Sequence, residues 1–395
     1  MKKQLLIPLL ILLFLIAGTA LAVSYARGYR LSFSSGDKFV AGTGLLVVTS
    51  NPNGAQVFID DKLITATDNT INLTPGSYKV RIEKQGYLPW SKTIKVKEEV
   101  VSNANALLFP TAPRLDSITD NGVDKATIDP SGSRIAYVEA SGSAQQKGIY
   151  VLSMNSVPII GGSSKQIVDD SLDQFSKASL SWSPDGTSIL ATVSANLGIK
   201  TTYLLDSSSF NQNPQDVSET LEAVKNDWSL QQNKKDKALF SGLKTLLTQT
   251  INTNFSLLKW SPDETKIAYI ASQSATLPII IKPRLTGVDL VPEERNIQKG
   301  QAYIYDMKED KNYKLNIAPQ LFSSARWLAD STHLIYVIDS QIHAVEMDGG
   351  NDTIIYAGPF IDSYVFPWTD TSKIVIVTNL NNPQIAPNFY TIGLK

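Results

Sequence analysis

The chain lacks cysteine altogether and has only two histidines, His333 and His343, among its 395 residues. Without cysteine there can be no disulfide, no thiolate metal site, no iron–sulfur cluster and no cysteine nucleophile. Two histidines are too few for a multi-histidine metal centre, so we expect both to be structural or exposed. Gly-rich phosphate loops, nucleophile elbows, His-Glu-x-x-His and EF-hand motifs are also missing. The sequence therefore predicts no cofactor and no metal.

A strong charge of either sign is missing as well. The chain carries 36 Lys and Arg against 37 Asp and Glu, which gives a net charge of -1. Nucleic-acid-binding proteins present a strongly basic face, so a nucleic-acid partner is not expected. Hydrophobic residues make up 43% of the chain, enough for a sizeable core. The length predicts two or three domains.

The N-terminus has the one long apolar run of the sequence, residues 5–23, preceded by Lys2 and Lys3. As a helix these residues would span about 28 Å, close to the ~30 Å hydrocarbon core of a bilayer. The lysines favour a cytoplasmic N-terminus, which places the following domains outside the cytoplasmic membrane, in the periplasm or at the cell surface. Residues 1–24 are thus predicted to be a transmembrane anchor or a cleaved signal segment. The small-x-small pattern Ala20-Leu21-Ala22 keeps cleavage open.

Residues 44–109 have the pattern of a small all-β module. Alternating apolar residues such as Val57 and Ile59, or Val80 and Ile82, predict half-buried strands. Tight turns separate the strands at Asn51-Pro52-Asn53-Gly54 and Thr74-Pro75-Gly76. The turn, the hairpin at Asp60-Asp61 and the Lys84-Gln85-Gly86-Tyr87 segment resemble the PEGA domain, a β-sandwich-like module of bacterial envelope proteins. The resemblance implies a role in adhesion or spacing at the cell surface and implies no catalytic residue.

The aromatic residues Tyr87 and Trp90 in this module allow two interpretations. Exposed rings would be stacking platforms for cell-wall glycan. Alternatively they cap the small sandwich core, because small domains need large aromatics to bury enough area. We favour the core role and keep the glycan role as the alternative.

The remainder of the chain repeats one strand–turn–strand pattern five times. Its clearest copies are Trp182-Ser183-Pro184-Asp185-Gly186 and Trp260-Ser261-Pro262-Asp263-Glu264. Proline presets φ in this turn, glycine supplies a positive φ, and the aspartates are expected to accept local backbone N–H bonds. Glu264 in place of glycine should strain the backbone or change the turn. We call the strand residue before each turn the marker; the five markers are Ile128, Trp182, Trp260, Trp327 and Trp368. The next strand begins seven residues after the marker in the first four copies. From Trp368 to Ile374 the interval is six residues, which predicts that the last copy has lost a turn residue.

A third strand follows each copy, as in Gly148–Leu152 and Ala302–Asp306. Stacked units of this kind predict a β-propeller. The pattern resembles TolB-like, or WD40-like, propeller repeats over residues 114–395. We predict an all-β fold of a sandwich-like module and a propeller with five or six blades. Helical spacing of apolar residues predicts a helical insertion at about 215–250, and residues 277–300 read as a long loop.

Propellers serve mostly as binding surfaces, and the predicted function is non-enzymatic. We expect a membrane-anchored extracytoplasmic scaffold whose propeller binds an envelope protein or peptide. Cell-wall or glycan binding is the alternative, and glycoside processing by paired carboxylates a third hypothesis. The helical insertion at about 215–250 and the long loop at 277–300 are the predicted partner surfaces, because regular blades do not need them. The candidate binding residues are those of the long loop and the aromatic pair: Lys282, Arg284, Glu293, Arg295, Tyr87 and Trp90.

Overall fold

The computed structural model describes residues 6–26, 30–31, 40–155, 164–194, 200–284, 292–361 and 363–395. The chain divides into two compact units. Unit 1 comprises Met1–Phe109 with Ile281–Pro292, and unit 2 comprises Pro110–Ile280 with Glu293–Lys395.

Helix α1 (Leu6–Ala26) forms where the apolar N-terminal run predicts a helix. A short antiparallel ribbon follows, made of β1 (Arg30–Leu31) and β2 (Val40–Ala41). In the described part of the chain, no helix combines the length and the apolar character needed to cross a membrane. The predicted transmembrane helix is therefore not supported.

Two β-sheets pack face to face in unit 1 and enclose its core. Their strands are β3 (Gly44–Asn51), β4 (Gln56–Ile59), β5 (Lys62–Ala66), β6 (Asn69–Leu73), β7 (Gly76–Glu83), β8 (Trp90–Val96) and β9 (Val101–Leu107). One sheet has the order β6-β3-β9, with β3 and β9 parallel, and the other has the order β5-β4-β7-β8. The predicted inward residues Val57, Ile59, Val80 and Ile82 are buried. This is the sandwich that the sequence predicts.

Five four-stranded antiparallel sheets make up unit 2. The strands, in chain order, are β10 (Leu115–Ser117), β11 (Asp124–Ile128), β12 (Arg134–Glu139), β13 (Gly148–Ser153), β14 (Ser164–Asp169), β15 (Ser179–Trp182), β16 (Ser188–Ser194), β17 (Lys200–Asp206), β18 (Gln215–Asp216), β19 (Phe255–Trp260), β20 (Lys266–Ala271), β21 (Ala275–Thr276), β22 (Asn296–Ile297), β23 (Ala302–Asp306), β24 (Lys311–Lys314), β25 (Arg326–Trp327), β26 (His333–Ile338), β27 (Gln341–Glu346), β28 (Thr353–Ala357), β29 (Val365–Pro367), β30 (Lys373–Thr378) and β31 (Asn388–Gly393). The helical elements are a 3₁₀ turn (Phe175–Lys177), α2 (Leu221–Ser241), α3 (Thr245–Asn254) and α4 (Pro319–Phe322).

The sheets follow one another along the chain as blades. Blade 1 is β11-β12-β13-β14, blade 2 is β15-β16-β17-β18, blade 3 is β19-β20-β23-β24 and blade 4 is β25-β26-β27-β28. Blade 5 is β29-β30-β31, completed by β10 from the start of the unit, with Leu115 opposite Ile392. This is the strand order of a five-bladed β-propeller. Helices α2 and α3 lie between blades 2 and 3 in the sequence and confirm the predicted helical insertion. Strand β21, directly before the predicted loop, pairs with β22 inside it.

Neighbouring blades share hydrophobic cores. Buried side chains of blades 1 and 2 form one cluster, those of blades 3 and 4 a second, and those of blades 5 and 1 a third. Two indoles tie the blades further. Trp182 Nε1 donates to the carbonyl of Thr127 (3.1 Å), and Trp327 Nε1 donates to the carbonyl of Lys259 (2.9 Å). These three pairs of blades thus bury apolar faces against each other, as the units of repeat architectures do.

The turn between the first two strands of each blade has the same backbone geometry in all five. Counted from the last paired residue of the first strand (Ile128, Trp182, Trp260, Trp327 or Pro367), the fourth residue has a positive φ whatever its identity: Gly132 (72°), Gly186 (74°), Glu264 (56°), Ser331 (59°) and Thr371 (42°). Replacing glycine by glutamate in blade 3 therefore leaves the turn unchanged and places a side-chain-bearing residue in a left-handed conformation.

The predicted loss of a turn residue in the last copy is wrong. Pro367 pairs with Ile374 just as Trp182 pairs with Ile189, so the interval is seven residues here too. Trp368 lies one position beyond the marker, and its backbone N–H bonds to the carbonyl of Lys373 as that of Ser183 bonds to Ser188. Residue type predicts Trp368 as the marker, whereas strand register places Pro367 at that position.

The turn aspartates act as predicted. Asp185 accepts the backbone N–H of Thr187 (3.0 Å), and Asp263 accepts that of Thr265 (3.1 Å). A hydrogen bond from Ser183 is the main cause of the lowered pKa of Asp185. Burial alone would raise the pKa of Asp263, but hydrogen bonds from Ser261 and Thr265 outweigh it and hold the pKa well below its usual range. These carboxylates are part of the turns.

His333 occupies the turn of blade 4 and is buried. Its Nδ1 lies 2.7 Å from Asp330 Oδ2. Burial alone would lower the pKa of His333, but the pairing with Asp330 raises it more, with further support from Glu346 and Asp348. His343 lies beside Asp352, with Nδ1 3.0 Å from Oδ1.

Relief of the left-handed strain should stabilise the protein. We expect Glu264→Gly to raise the free energy of unfolding by about 1 kcal/mol, since a left-handed residue with a Cβ costs roughly 1–2 kcal/mol and glycine recovers part of this. Gly132 has φ 72° and open space around a Cβ, so Gly132→Glu is the matched reverse variant and should destabilise. Thermal unfolding of the full chain in a neutral detergent measures both. Equal melting temperatures in the three proteins would contradict the assignment.

The ion pair of His333 predicts a pH-dependent stability. Because the folded-state pKa is raised, this contribution is fully present below the unfolded pKa of about 6.5 and is lost as pH rises through the folded pKa. We expect the melting temperature of the full chain to fall between pH 6 and pH 9, and His333→Gln to remove that component. His343→Gln is the control. A pH profile identical in the wild type and His333→Gln would refute the prediction.

Candidate functional site

A cavity of about 890 Å³ lies in unit 2 where the marker turns of the blades converge. Its walls come from blades 1, 3, 4 and 5 and from Leu239 of α2. Tryptophans and prolines make up much of the lining: Trp260, Trp327, Trp368, Pro130, Pro262 and Pro367. Cavities of this size with apolar and aromatic walls are typical of ligand sites.

The tryptophans of the cavity are fixed by the blade packing. Trp327 and Trp368 are buried, and Trp260 is half-buried with its ring edge-on to Phe240 of α2 at a centroid distance of 5.7 Å. The amine of Lys373 lies 4.0 Å from the ring centroid of Trp368. Their positions at or next to the marker explain why several blades present an indole at the same level.

Two cations line the cavity, Lys259 on β19 and Arg326 on β25. Each directly precedes the marker tryptophan of its blade, so the blade register places them on neighbouring inner strands. Lys259 Nζ donates to the carbonyls of Ser323 (2.8 Å) and Ala325 (2.7 Å). The Arg326 guanidinium lies over the ring of Phe366, 5.6 Å from its centroid.

Both cations are perturbed by their surroundings. Burial and, to a lesser extent, the neighbouring charge of Arg326 together lower the pKa of Lys259 to about 8. Burial also lowers the pKa of Arg326. An uncompensated positive potential is therefore built into this part of the cavity.

The carboxylates of the cavity wall are Asp129 and Glu264. Asp129 is buried and accepts the backbone N–H groups of Ser133 (2.8 Å) and Arg134 (2.9 Å), while its second oxygen lies 3.3 Å from Arg134 Nη2. It is therefore committed to its own turn. Glu264 is exposed.

The loop residues predicted to bind a partner are distributed over the two units. Lys282, which is exposed, and Arg284, which is half-buried, belong to unit 1. Glu293 and Arg295 belong to unit 2 and form an ion pair of 2.9 Å. Arg295 also donates to the carbonyl of Pro278 (2.7 Å) and pairs with the fully buried Asp310 (3.1 Å). The Arg295 guanidinium thus fastens the base of the loop.

The aromatic pair of unit 1 serves its core. Trp90 is 4% exposed and packs between the two sheets, and Tyr87 is half-buried against the same cluster. A buried indole presents no ring face to a sugar. The site that sequence reasoning missed is the Lys259–Arg326 pair, whose signal was its shared position before the marker in consecutive blades.

Comparison with known proteins identifies the first module. Residues 43–111 match the PEGA domain, which confirms the resemblance seen in its turns. No match was found among curated proteins.

Similar solved structures include three β-propeller proteins. A putative TolB from Agrobacterium tumefaciens is 15% identical and covers 68% of this chain and 78% of its own, with a TM-score of 0.22. TolB from Acinetobacter baumannii is 14% identical over 80% of this chain and 59% of its own, with a TM-score of 0.19. The β-propeller domain of the Trilobed protease from Pyrococcus furiosus is 12% identical over 89% and 95%, with a TM-score of 0.23.

The two cations of the cavity should be electrostatically coupled. In the wild type we expect Lys259 to titrate near pH 8, and in Arg326→Met we expect its pKa to rise because a like charge has been removed. The pH dependence of Lys259 acetylation, followed by mass spectrometry in the full chain, measures both. Arg114→Met, which removes an exposed arginine of the same unit, should leave the midpoint unchanged. An unchanged midpoint in Arg326→Met would show that the charges do not interact.

Proposed function

We propose that this protein is a non-enzymatic scaffold of the cell envelope whose propeller binds another envelope protein. The cavity at the converging turns carries the proposal. It offers indole and proline surfaces together with two cations on rigid strands, which is the chemistry of a recognition site. The carboxylate of Asp129 is occupied by its turn, and this disfavours glycoside processing by a carboxylate pair at the cavity.

The proposed location is outside the cytoplasmic membrane, with attachment through residues 5–23. The lysines before the apolar run and the PEGA domain, a module of envelope proteins by the resemblance above, support it. Glycan binding through Tyr87 and Trp90 is not favoured because Trp90 is part of the sandwich core.

Site-specific photo-crosslinking in cells tests the function. A benzophenone amino acid at Glu264, an exposed residue of the cavity wall, should crosslink to a discrete protein partner. The control position is Ser340, an exposed residue in the turn between β26 and β27, which lies at the opposite end of a blade from the marker turns. Equal crosslinking from the two positions, or none from Glu264, would contradict binding at the cavity.

A further inference from the structure

Arg326 differs from the other arginines of unit 2. Arg134 pairs with Asp129 and donates to the carbonyl of Gly186 (2.7 Å), Arg295 pairs with Glu293 and Asp310, and the exposed Arg114 pairs with Asp116 at 2.7 Å. The guanidinium of Arg326 makes no hydrogen bond or ion pair with any residue that the structure describes, although it is half-buried. The guanidinium instead lies over the ring of Phe366.

The nitrogens of this half-buried guanidinium are not closed off from solvent, so an anion that enters the cavity can reach them. Lys259, the second cation of the wall, cannot offset the charge of Arg326 and instead adds to it. Its amine donates to two backbone carbonyls, and no carboxylate among the described residues pairs with it. The cavity therefore contains donors and positive charge that an anion from outside would complete.

The geometry points to an acidic peptide segment of a protein partner as the occupant of this cavity. We propose that Arg326 pairs with a side-chain carboxylate of that segment while the half-buried Trp260 and the exposed Pro130 and Pro262 contact its apolar neighbours. The proposal rests on the proposed protein-binding function and specifies the chemistry of the partner.

The size and lining of the cavity favour a peptide over a small free anion. A phosphate ion would fill little of about 890 Å³ and would leave Trp260, Pro130 and Pro262 without ligand contacts. Glu or Asp flanked by apolar residues supplies both the charge and the apolar surface. Arginine and carboxylate groups also match in planar, bidentate geometry, which a lysine does not offer.

Binding of defined peptides to the full chain in neutral detergent tests the proposal. The probes are the blocked tripeptides acetyl-Phe-Glu-Phe-amide and acetyl-Phe-Gln-Phe-amide, with acetyl-Gly-Glu-Gly-amide, inorganic phosphate and a uronic-acid oligosaccharide as comparisons. Calorimetry gives the affinities, and tryptophan fluorescence reports on the cavity. We expect the Glu peptide to bind about tenfold or more tightly than the Gln peptide, as loss of a charged hydrogen bond predicts.

Variants of Arg326 connect the affinity to the site. Arg326→Met should reduce the affinity for acetyl-Phe-Glu-Phe-amide to that of the Gln peptide, Arg326→Lys should be intermediate, and Arg114→Met should bind like the wild type. Without ligand, Arg326→Met should melt no lower than the wild type, because the half-buried guanidinium contributes no hydrogen bond or ion pair among the described residues. A stable variant that has lost binding excludes misfolding as the cause.

Each other outcome overturns the proposal. Equal binding of the Glu and Gln peptides, unchanged binding in Arg326→Met, or no binding of any peptide would remove the carboxylate contact. Equal affinity for phosphate and the phenylalanine peptide would leave an anion site without peptide recognition, and binding of the oligosaccharide alone would make the ligand an acidic glycan. A crosslinked partner that is retained equally by Arg326→Met would leave the proposed function intact and overturn this inference alone.

Discussion

The contact between adjacent blades is the constraint on which unit 2 depends. A single four-stranded sheet exposes two apolar faces, and a blade hides them by packing against neighbouring blades or, in blade 3, also against α3. The indole bonds from Trp182 to Thr127 and from Trp327 to Lys259 fix this packing in one register, since each joins a marker to the residue before the preceding marker. The pairing of β10 with β31 then joins the two ends of the unit. The cavity follows from this packing, because the fixed register of the inner strands brings the turns after the markers together.

The helical insertion belongs to this same packing. The marker Trp260 packs against Phe240 of α2, whereas Trp182 and Trp327 donate to a strand of the preceding blade. The core around β19 and β20 continues into α3 through Leu247 and Ile251. The insertion also supplies Leu239 to the cavity wall. Although a regular blade does not need this insertion, it contributes to the core of blade 3 and to the wall of the cavity.

Much of the fold could be predicted from the sequence because its signals are local. Turn residues and apolar alternation specify most strands of both units. The failures have physical reasons. Strand β9 has the sequence Val-Ser-Asn-Ala-Asn-Ala-Leu, which is poor in β-branched residues, and it is held by parallel pairing with the distant β3. The sequence predicts Trp368 as the marker of blade 5 because the other late markers are tryptophans. The pairing of β29 with β30 instead places Pro367 at the marker position.

The candidate site was harder to predict because the sequence does not show which charged side chains will pair with each other. Arg295 stood out in an irregular loop, yet a loop can fold its charges onto one another, and Glu293 and Asp310 neutralise it. Arg326 lies on an inner strand, where strand register restricts which groups can reach it. It occupies the position directly before the marker, and no other blade has a carboxylate at that position. The equivalent residues are Thr127, Ser181, Lys259 and Phe366. Aligning the repeats by strand register would have placed Lys259 and Arg326 side by side. The cation without an acidic partner among the described residues thus lies at a regular strand position, whereas the loop cation Arg295 is neutralised.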